Sequence, residues 1–325
     1  MKAKIKSGIK RVFDQLKTPT LYPGAYQRHL DSGAPILDGR KANLFISNLI
    51  LGENPCMIAR FGSTELDAML AVERFENFSF VERFVESCQY KTLNLWNSPP
   101  VQELQTLSGF FPLNKKTLEK FLVVMKDAVK ELDLLGSWLP LETRYTQHKP
   151  SLPACALEHL EPYFHDDPWS MCLAGKRVLV IHPFADLIKK QYADNRLNIF
   201  SDQRVLPEFS LSAIEAVQTL AGEKDRRFSD WFDALDWMEG EALTTDFDVA
   251  IIGCGAYGFP LASRLKKHGK KSIHLGGATQ ILFGIKGKRW DDRIEFSSMY
   301  NQYWVRPGGQ GRPGNYQAVD GGCYW

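Results

Sequence analysis

An apolar run, Asp246-Phe-Asp-Val-Ala-Ile-Ile252, passes directly into Gly253-Cys-Gly255-Ala-Tyr257-Gly258 and then into a helical pattern. That order of parts suits phosphate. Glycines at 253 and 255 permit a tight turn and close approach of backbone to a ligand, and Gly258 permits close helix packing. The first N–H groups of the following helix have no intrahelical partner and attract an anion. A dinucleotide or a nucleotide sugar fits such a turn, and so does a structural glycine turn with no ligand. A nicotinamide site usually adds an Asp or Glu about 20 residues on, at the end of the next strand. Here that strand, Lys271-Ser-Ile-His-Leu-Gly276-Gly277, ends in glycines, which weighs against NAD. A second polar group, Arg60-Phe-Gly62-Ser63-Thr64-Glu65, follows the apolar run 55–59. Ser63 or Thr64 is the expected helix cap there, with Glu65 in the first turn.

These groups need a scaffold to hold them. Apolar runs at 55–59, 134–139, 177–184, 246–252 and 271–275 predict strands. Helical patterns cover 42–51, 65–75, 117–132, 185–192, 211–221 and 228–238, with further helix between 79 and 107. Continuous apolar strands alternating with helices imply a parallel sheet covered on both faces. The expected fold is therefore α/β and Rossmann-like, with an N-terminal helical extension and an irregular C-terminal tail. The divisions fall at 1–40 (basic helix and connector), 41–296 (α/β domain) and 297–325 (tail rich in Gly, Pro and aromatics). Ligands in such sheets bind outside the carboxyl ends of the strands. Arg60 to Glu65, His182, Gly253 to Gly258, and Gly276, Gly277 and Gln280 are thus expected to converge.

Hydrophobic residues at 44%, charged residues at 24% and a net charge of +2 over 325 residues describe an ordinary soluble enzyme and give no sign of a nucleic-acid partner. The six cysteines form no Cys-x-x-Cys, which fits a reduced, cytoplasmic chain. No apolar run approaches the ~20 residues of a membrane span, and the N-terminus lacks a signal-peptide core. In the first 17 residues Ile5, Ile9, Val12, Phe13 and Leu16 form a stripe among Lys2, Lys4, Lys6, Lys10, Arg11 and Lys17. This basic amphipathic helix either lies peripherally on the inner membrane face or docks on protein. From Pro307 the tail is too rich in Gly and Pro for regular structure; its aromatics, Tyr316, Tyr324 and Trp325 among them, either cover an active site or pin the segment down.

The string Arg60-Phe-Gly-Ser-Thr-Glu65 resembles the Arg-aromatic-Gly-Asp-x-Glu motif of the GT-D type of glycosyltransferase. Segments 251–258 and 273–280 are similar to that family's late glycine turn and following strand end. The pattern spans about residues 40 to 295, but only these short segments are specific. The resemblance implies transfer of a sugar from a nucleotide-sugar donor to a glycan or lipid-linked acceptor in surface polysaccharide biosynthesis. A lipid-linked acceptor would suit the basic N-terminus. It also places a divalent metal, Mn2+ or Mg2+, and the donor diphosphate at positions 63 and 65. Position 63 is serine, a poor ligand for a hard cation, so Glu65 alone remains for metal or general-base work.

A leaving diphosphate needs cations and N–H donors. Arg60, Lys286, Lys288 and Arg289 are the candidate cations, and the N–H groups of 255–258 the candidate donors. Tyr257 or Trp290 would stack on base or sugar. Glu65, Asp291 or Asp292 would take the acceptor proton if transfer inverts, although adjacent carboxylates are commonly a solvated pair. The donor-binding set is then Arg60, Gly62, Ser63, His182, Gly253, Gly255, Tyr257, Gly258, Gly276, Gly277, Gln280, Arg289 and Trp290. Two other readings stay open. An NAD(P)-dependent oxidoreductase would keep the glycine turn with another ribose contact, and a non-catalytic nucleotide-sugar-binding assembly protein would explain Ser63.

Overall fold

The structure is a computed structural model and describes residues 35–77, 79, 96, 98–309 and 312–325. The basic stretch 1–17, most of the connector and most of the 79–98 region lie outside the described residues. Among the described residues eight strands form one sheet: β1 Ile36–Leu37, β2 Cys56–Ala59, β3 Leu134–Ser137, β4 Ala154–Ala156, β5 Arg177–His182, β6 Ser210–Glu215, β7 Val249–Ile252 and β8 Lys271–His274. Their order is β1-β4-β3-β2-β8-β7-β5-β6, and every pairing is parallel.

Helices α1 Gly39–Leu51, α2 Ser63–Asn77, α3 Pro99–Ser108, α4 Lys115–Val129, α5 Ala185–Ile199, α6 Trp231–Thr244, α7 Gly258–Lys267 and the short α8 Ala278–Leu282 cover the sheet. Alternate strand residues divide between two cores. Met57, Leu179, Ile181, Ala250 and Ile252 pack with α2, α3, α4, α6 and α7. Ile58, Val178, Val180, Val249, Ile251 and Ile273 pack with α1, α5 and α8. Both faces are buried, so β2 and β7 read as unbroken apolar runs rather than as alternation. Each fully buried aliphatic side chain contributes about 1.5–3 kcal/mol.

The expected helix at 211–221 is a correction: residues 210–215 are the edge strand β6, in register with β5 from Arg177↔Ser210 to His182↔Glu215. Leu211 and Ala213 pack toward one core and Ile214 toward the other, which is the period of a strand. The rest of that stretch ends in a 3-10 turn with Ala221 at φ 57°. The cap of α2 also differs. Ser63 is already helical, and the Gly62 carbonyl accepts from Leu66 N at 3.0 Å. Helix α1 begins earlier than its apolar pattern, because the Asp38 side chain accepts from Lys41 N at 2.9 Å. Helix α5 continues to Ile199.

Gly240 lies exposed inside α6, and a Cβ there would meet no atom within 4 Å. Gly240→Ala is therefore expected to raise stability by about 0.5–1 kcal/mol, through reduced freedom of the unfolded chain and better helix propensity. A urea titration checks this as a higher midpoint at unchanged slope.

Candidate functional site

A cavity of about 730 Å³ opens at the carboxyl ends of β2, β5, β7 and β8. From β5 the chain steps outward to β6 and then returns to the opposite side of β5 as β7. Such a reversal leaves a crevice between the loops at the strand ends.

The glycine turn after β7 forms one wall. A Cβ on Gly253 would sit 2.6 Å from the Gly276 carbonyl oxygen and 2.8 Å from His182 Cδ2, so backbone and ring close in on that position. Gly255 has φ +56°, a conformation that favours glycine. Two of the four expected phosphate donors are already used: Tyr257 N donates to Cys254 O at 3.3 Å and Gly258 N to Gly255 O. Tyr257 is a further correction. Its ring is buried and stacked on Trp231 at 4.9 Å, with its hydroxyl 3.4 Å from that of Thr219, so that face is closed to a base or sugar. Gly258 does not line the cavity; it provides the close helix approach, since a Cβ there would lie 2.1 Å from His274 Cε1.

Arg60 leaves the end of β2 and lays its guanidinium over Trp138, 4.7 Å from the ring centroid. Its Nε is buried with no hydrogen-bond partner, and among the described residues Arg60 makes no ion pair. Burial pulls its pKa down against the attraction of Glu65, but an arginine stays charged. Glu65 is buried at the cavity wall, folded back so closely on Gly62 that a Cβ there would coincide with its carboxylate.

Two histidines complete the floor. Nδ1 of His182 accepts from Phe184 N at 3.0 Å, which places its proton on Nε2. His274 Nδ1 lies 3.2 Å from the Ile252 carbonyl, so that nitrogen donates and Nε2 is left as an acceptor. Burial lowers both pKa values to about 3, helped at His274 by the charge of Arg60. Neutral imidazoles of opposite tautomer thus stand at the ends of β5 and β8.

On the opposite side Arg289 pairs with Asp320 at 3.0 Å and reaches the Tyr324 hydroxyl at 3.3 Å. Trp290 and Gln280 line this side too, and Gln280 Oε1 is buried without a partner. The tail is therefore part of the wall: Val319, Asp320 and Tyr324 line the cavity, and Gln280 Nε2 donates to Tyr324 O at 3.3 Å.

Of the expected site residues, Arg60, Gly62, Ser63, Glu65, His182, Gly253, Gly255, Tyr257, Gly276, Gly277, Gln280, Arg289 and Trp290 line this one cavity. Asp291 does not. Both its carboxylate oxygens accept from Arg306 Nη2 at 2.8 Å, which removes it from the candidate bases. Asp292, Lys286 and Lys288 also lie outside the lining.

Two solved structures resemble the chain. One is described as showing that "the highly conserved domain of unknown function 1792 has a distinct glycosyltransferase fold", and the other is a selenomethionine-substituted structure of the same domain. Each is 12% identical, with 87% of this chain and 98% of the other covered, at TM-scores of 0.43 and 0.44. No family model and no curated protein matches the chain. Side-chain roles rest on the cavity itself.

Sequence reasoning missed Trp138, Glu161, His274 and the 217–220 segment, all of which line the cavity. Only His274 carried a signal, as a polar residue ending a buried strand. Of the pair expected to hold a divalent ion, Ser63 and Glu65 both line the cavity, with Glu65 turned onto Gly62, and no group of three His, Cys, Asp or Glu among the described residues is placed to hold a metal.

Proposed function

We propose that the chain is a glycosyltransferase-like enzyme whose cavity takes a nucleotide-diphosphate sugar and passes the sugar to a glycan or lipid-linked acceptor in polysaccharide biosynthesis. The observation that carries this reading is Arg60. A part-buried guanidinium with an unpartnered Nε and no ion pair among the described residues is unfavourable by itself and is stabilised when an anion occupies the cavity. The glycine turn faces the same space, and about 730 Å³ is the size of a site for a ligand of several rings.

In this reading Arg60 and Arg289 hold the diphosphate, the neutral Nε2–H of His182 donates to a phosphate or sugar oxygen, and Trp290 offers a face to the sugar or base. The protein's own cations take the developing charge of the leaving group. The chain would act in the cytoplasm, with residues 1–17 as the contact to a membrane-held acceptor. No helix among the described residues is long and apolar enough to cross a membrane.

One observation favours a second reading. Arg60 Nη1 would lie 3.2 Å from a Cβ on Gly276, at the end of the strand beside the glycine turn, where an arginine also suits the 2′-phosphate of NADP. A thermal-shift panel of UDP-, GDP-, dTDP- and CMP-sugars with NAD(H) and NADP(H), each with EDTA or Mg2+, separates the two. The transferase reading expects a rise with one diphosphate sugar that EDTA leaves in place. A rise with NADP(H) alone overturns it.

A further inference from the structure

Glu161 belongs to no motif, yet it lines the cavity beside Arg60 and Arg293. It sits between two 3-10 turns, Leu157–Leu160 and Pro162–Phe164, with an extended backbone at φ −92° and ψ 107°. That extended residue separates the two turns, and its side chain lines the cavity wall. The Tyr163 hydroxyl donates to Glu161 Oε2. Tyr163 is held in turn by Phe200, stacked at 6.0 Å, and by the edges of Phe164 and Phe296.

Among the described residues neither nearby cation forms an ion pair with Glu161. Arg293 ion-pairs with Glu295 at 2.5 Å and lies over Phe296. Arg60 lies over Trp138. Glu161 therefore faces the cavity with a phenol as its hydrogen-bond partner and no ion pair among the described residues.

We propose that Glu161 is the group that takes the acceptor's proton during sugar transfer, an inference that rests on the transferase reading above. In a single displacement the acceptor O–H gives its proton to the Glu161 carboxylate while its oxygen bonds to the anomeric carbon. The bond from that carbon to the diphosphate oxygen breaks, and its electron pair leaves on the diphosphate, beside Arg60. The Tyr163 donor keeps one carboxylate oxygen fixed so that the other meets the hydroxyl.

The electrostatic surroundings of Glu161 agree with this role. Burial pushes the Glu161 carboxyl up to about 7, opposed by the Tyr163 bond and the charges of Arg293 and Arg60 and aided by Glu158. Tyr163 itself stays a neutral donor, raised by burial and by Glu161. A proton acceptor works best when its pKa lies near the working pH.

The test begins with the ligand-free protein, labelled with carboxyl-13C glutamate and titrated by NMR, with Glu161→Gln assigning the resonance. A midpoint near 7 is expected, moving upward in Tyr163→Phe because a bond favouring the charged form is lost. A midpoint below about 5, in the ordinary glutamate range, overturns the proposal.

Nucleoside-diphosphate release from the nucleotide sugars of the thermal-shift panel is then followed against pH. Glu161→Gln is expected to slow release by about 100-fold or more and to lose the acidic limb of the profile, with the donor-induced thermal shift unchanged. Release at the wild-type rate, or loss of the donor shift, overturns it. Silence of the wild-type panel sinks the donor reading itself, a failure distinct from a Glu161 that titrates in the ordinary range.

Discussion

Arg60→Met is expected to abolish binding of the nucleotide sugar while leaving the melting temperature unchanged or raising it by about 2 °C. Removing one partner of a desolvated charge pair loses about 2–5 kcal/mol of affinity, and here the other partner is the diphosphate. In the unliganded fold the same guanidinium is unsatisfied at Nε. Methionine removes the buried donor together with the guanidinium over Trp138. The lost stacking on Trp138, about 0.5–2 kcal/mol, is offset by relief of an unpaired polar group, about 1–3 kcal/mol. Function and stability then move in opposite directions, as expected of a residue kept for a ligand. Calorimetric titration and a melting curve on the same variant check both halves. A variant that melts well below wild type yet binds as tightly would show Arg60 to be a packing residue.

Gly258→Ala is expected to lose about 3 kcal/mol or more of stability, the upper range for overpacking. The reason is space alone. Gly258 has φ −61° and ψ −43°, which any residue adopts. A Cβ would stand 2.1 Å from His274 Cε1 and 2.3 Å from its Nδ1. The ring cannot swing aside without breaking the bond from Nδ1 to the Ile252 carbonyl at 3.2 Å, in a buried setting. The clash therefore passes to the start of α7 and the end of β8 together. A lower denaturation midpoint is the readout, and a loss under about 1 kcal/mol would mean that the helix shifts freely.

The sheet was legible where burial on both faces leaves a strand's interior apolar. β2, β5 and β7 stand out as runs that need no alternation to be seen. β1 and β4 did not stand out. They hold two and three residues, and only pairing to β3 and to each other makes them strands. The stretch that holds β6 was read as a helix, whereas pairing with β5 decided the matter. Propensity is a weak prior when six backbone positions can join a ladder.

The site followed the same division. Residues directly after a strand were placed well, because a parallel sheet brings all its carboxyl ends to one edge; Arg60, His182 and Gly253 met there for that reason alone. Residues whose position depends on connections were not. Glu161 reaches the cavity through two short turns with no periodic signal. Asp291 is withdrawn by Arg306, and the Tyr257 ring is claimed by Trp231 from α6. Those partners are distant enough in sequence that no local pattern could announce them.

The most direct test is release of nucleoside diphosphate from the nucleotide sugar that binds, followed in EDTA with a glycan or lipid fraction as acceptor. Acceptor-stimulated release that persists without divalent metal and disappears in Arg60→Met is the predicted result. Tight binding with no release under any acceptor, or hydride exchange with NADP(H) in its place, would contradict the account.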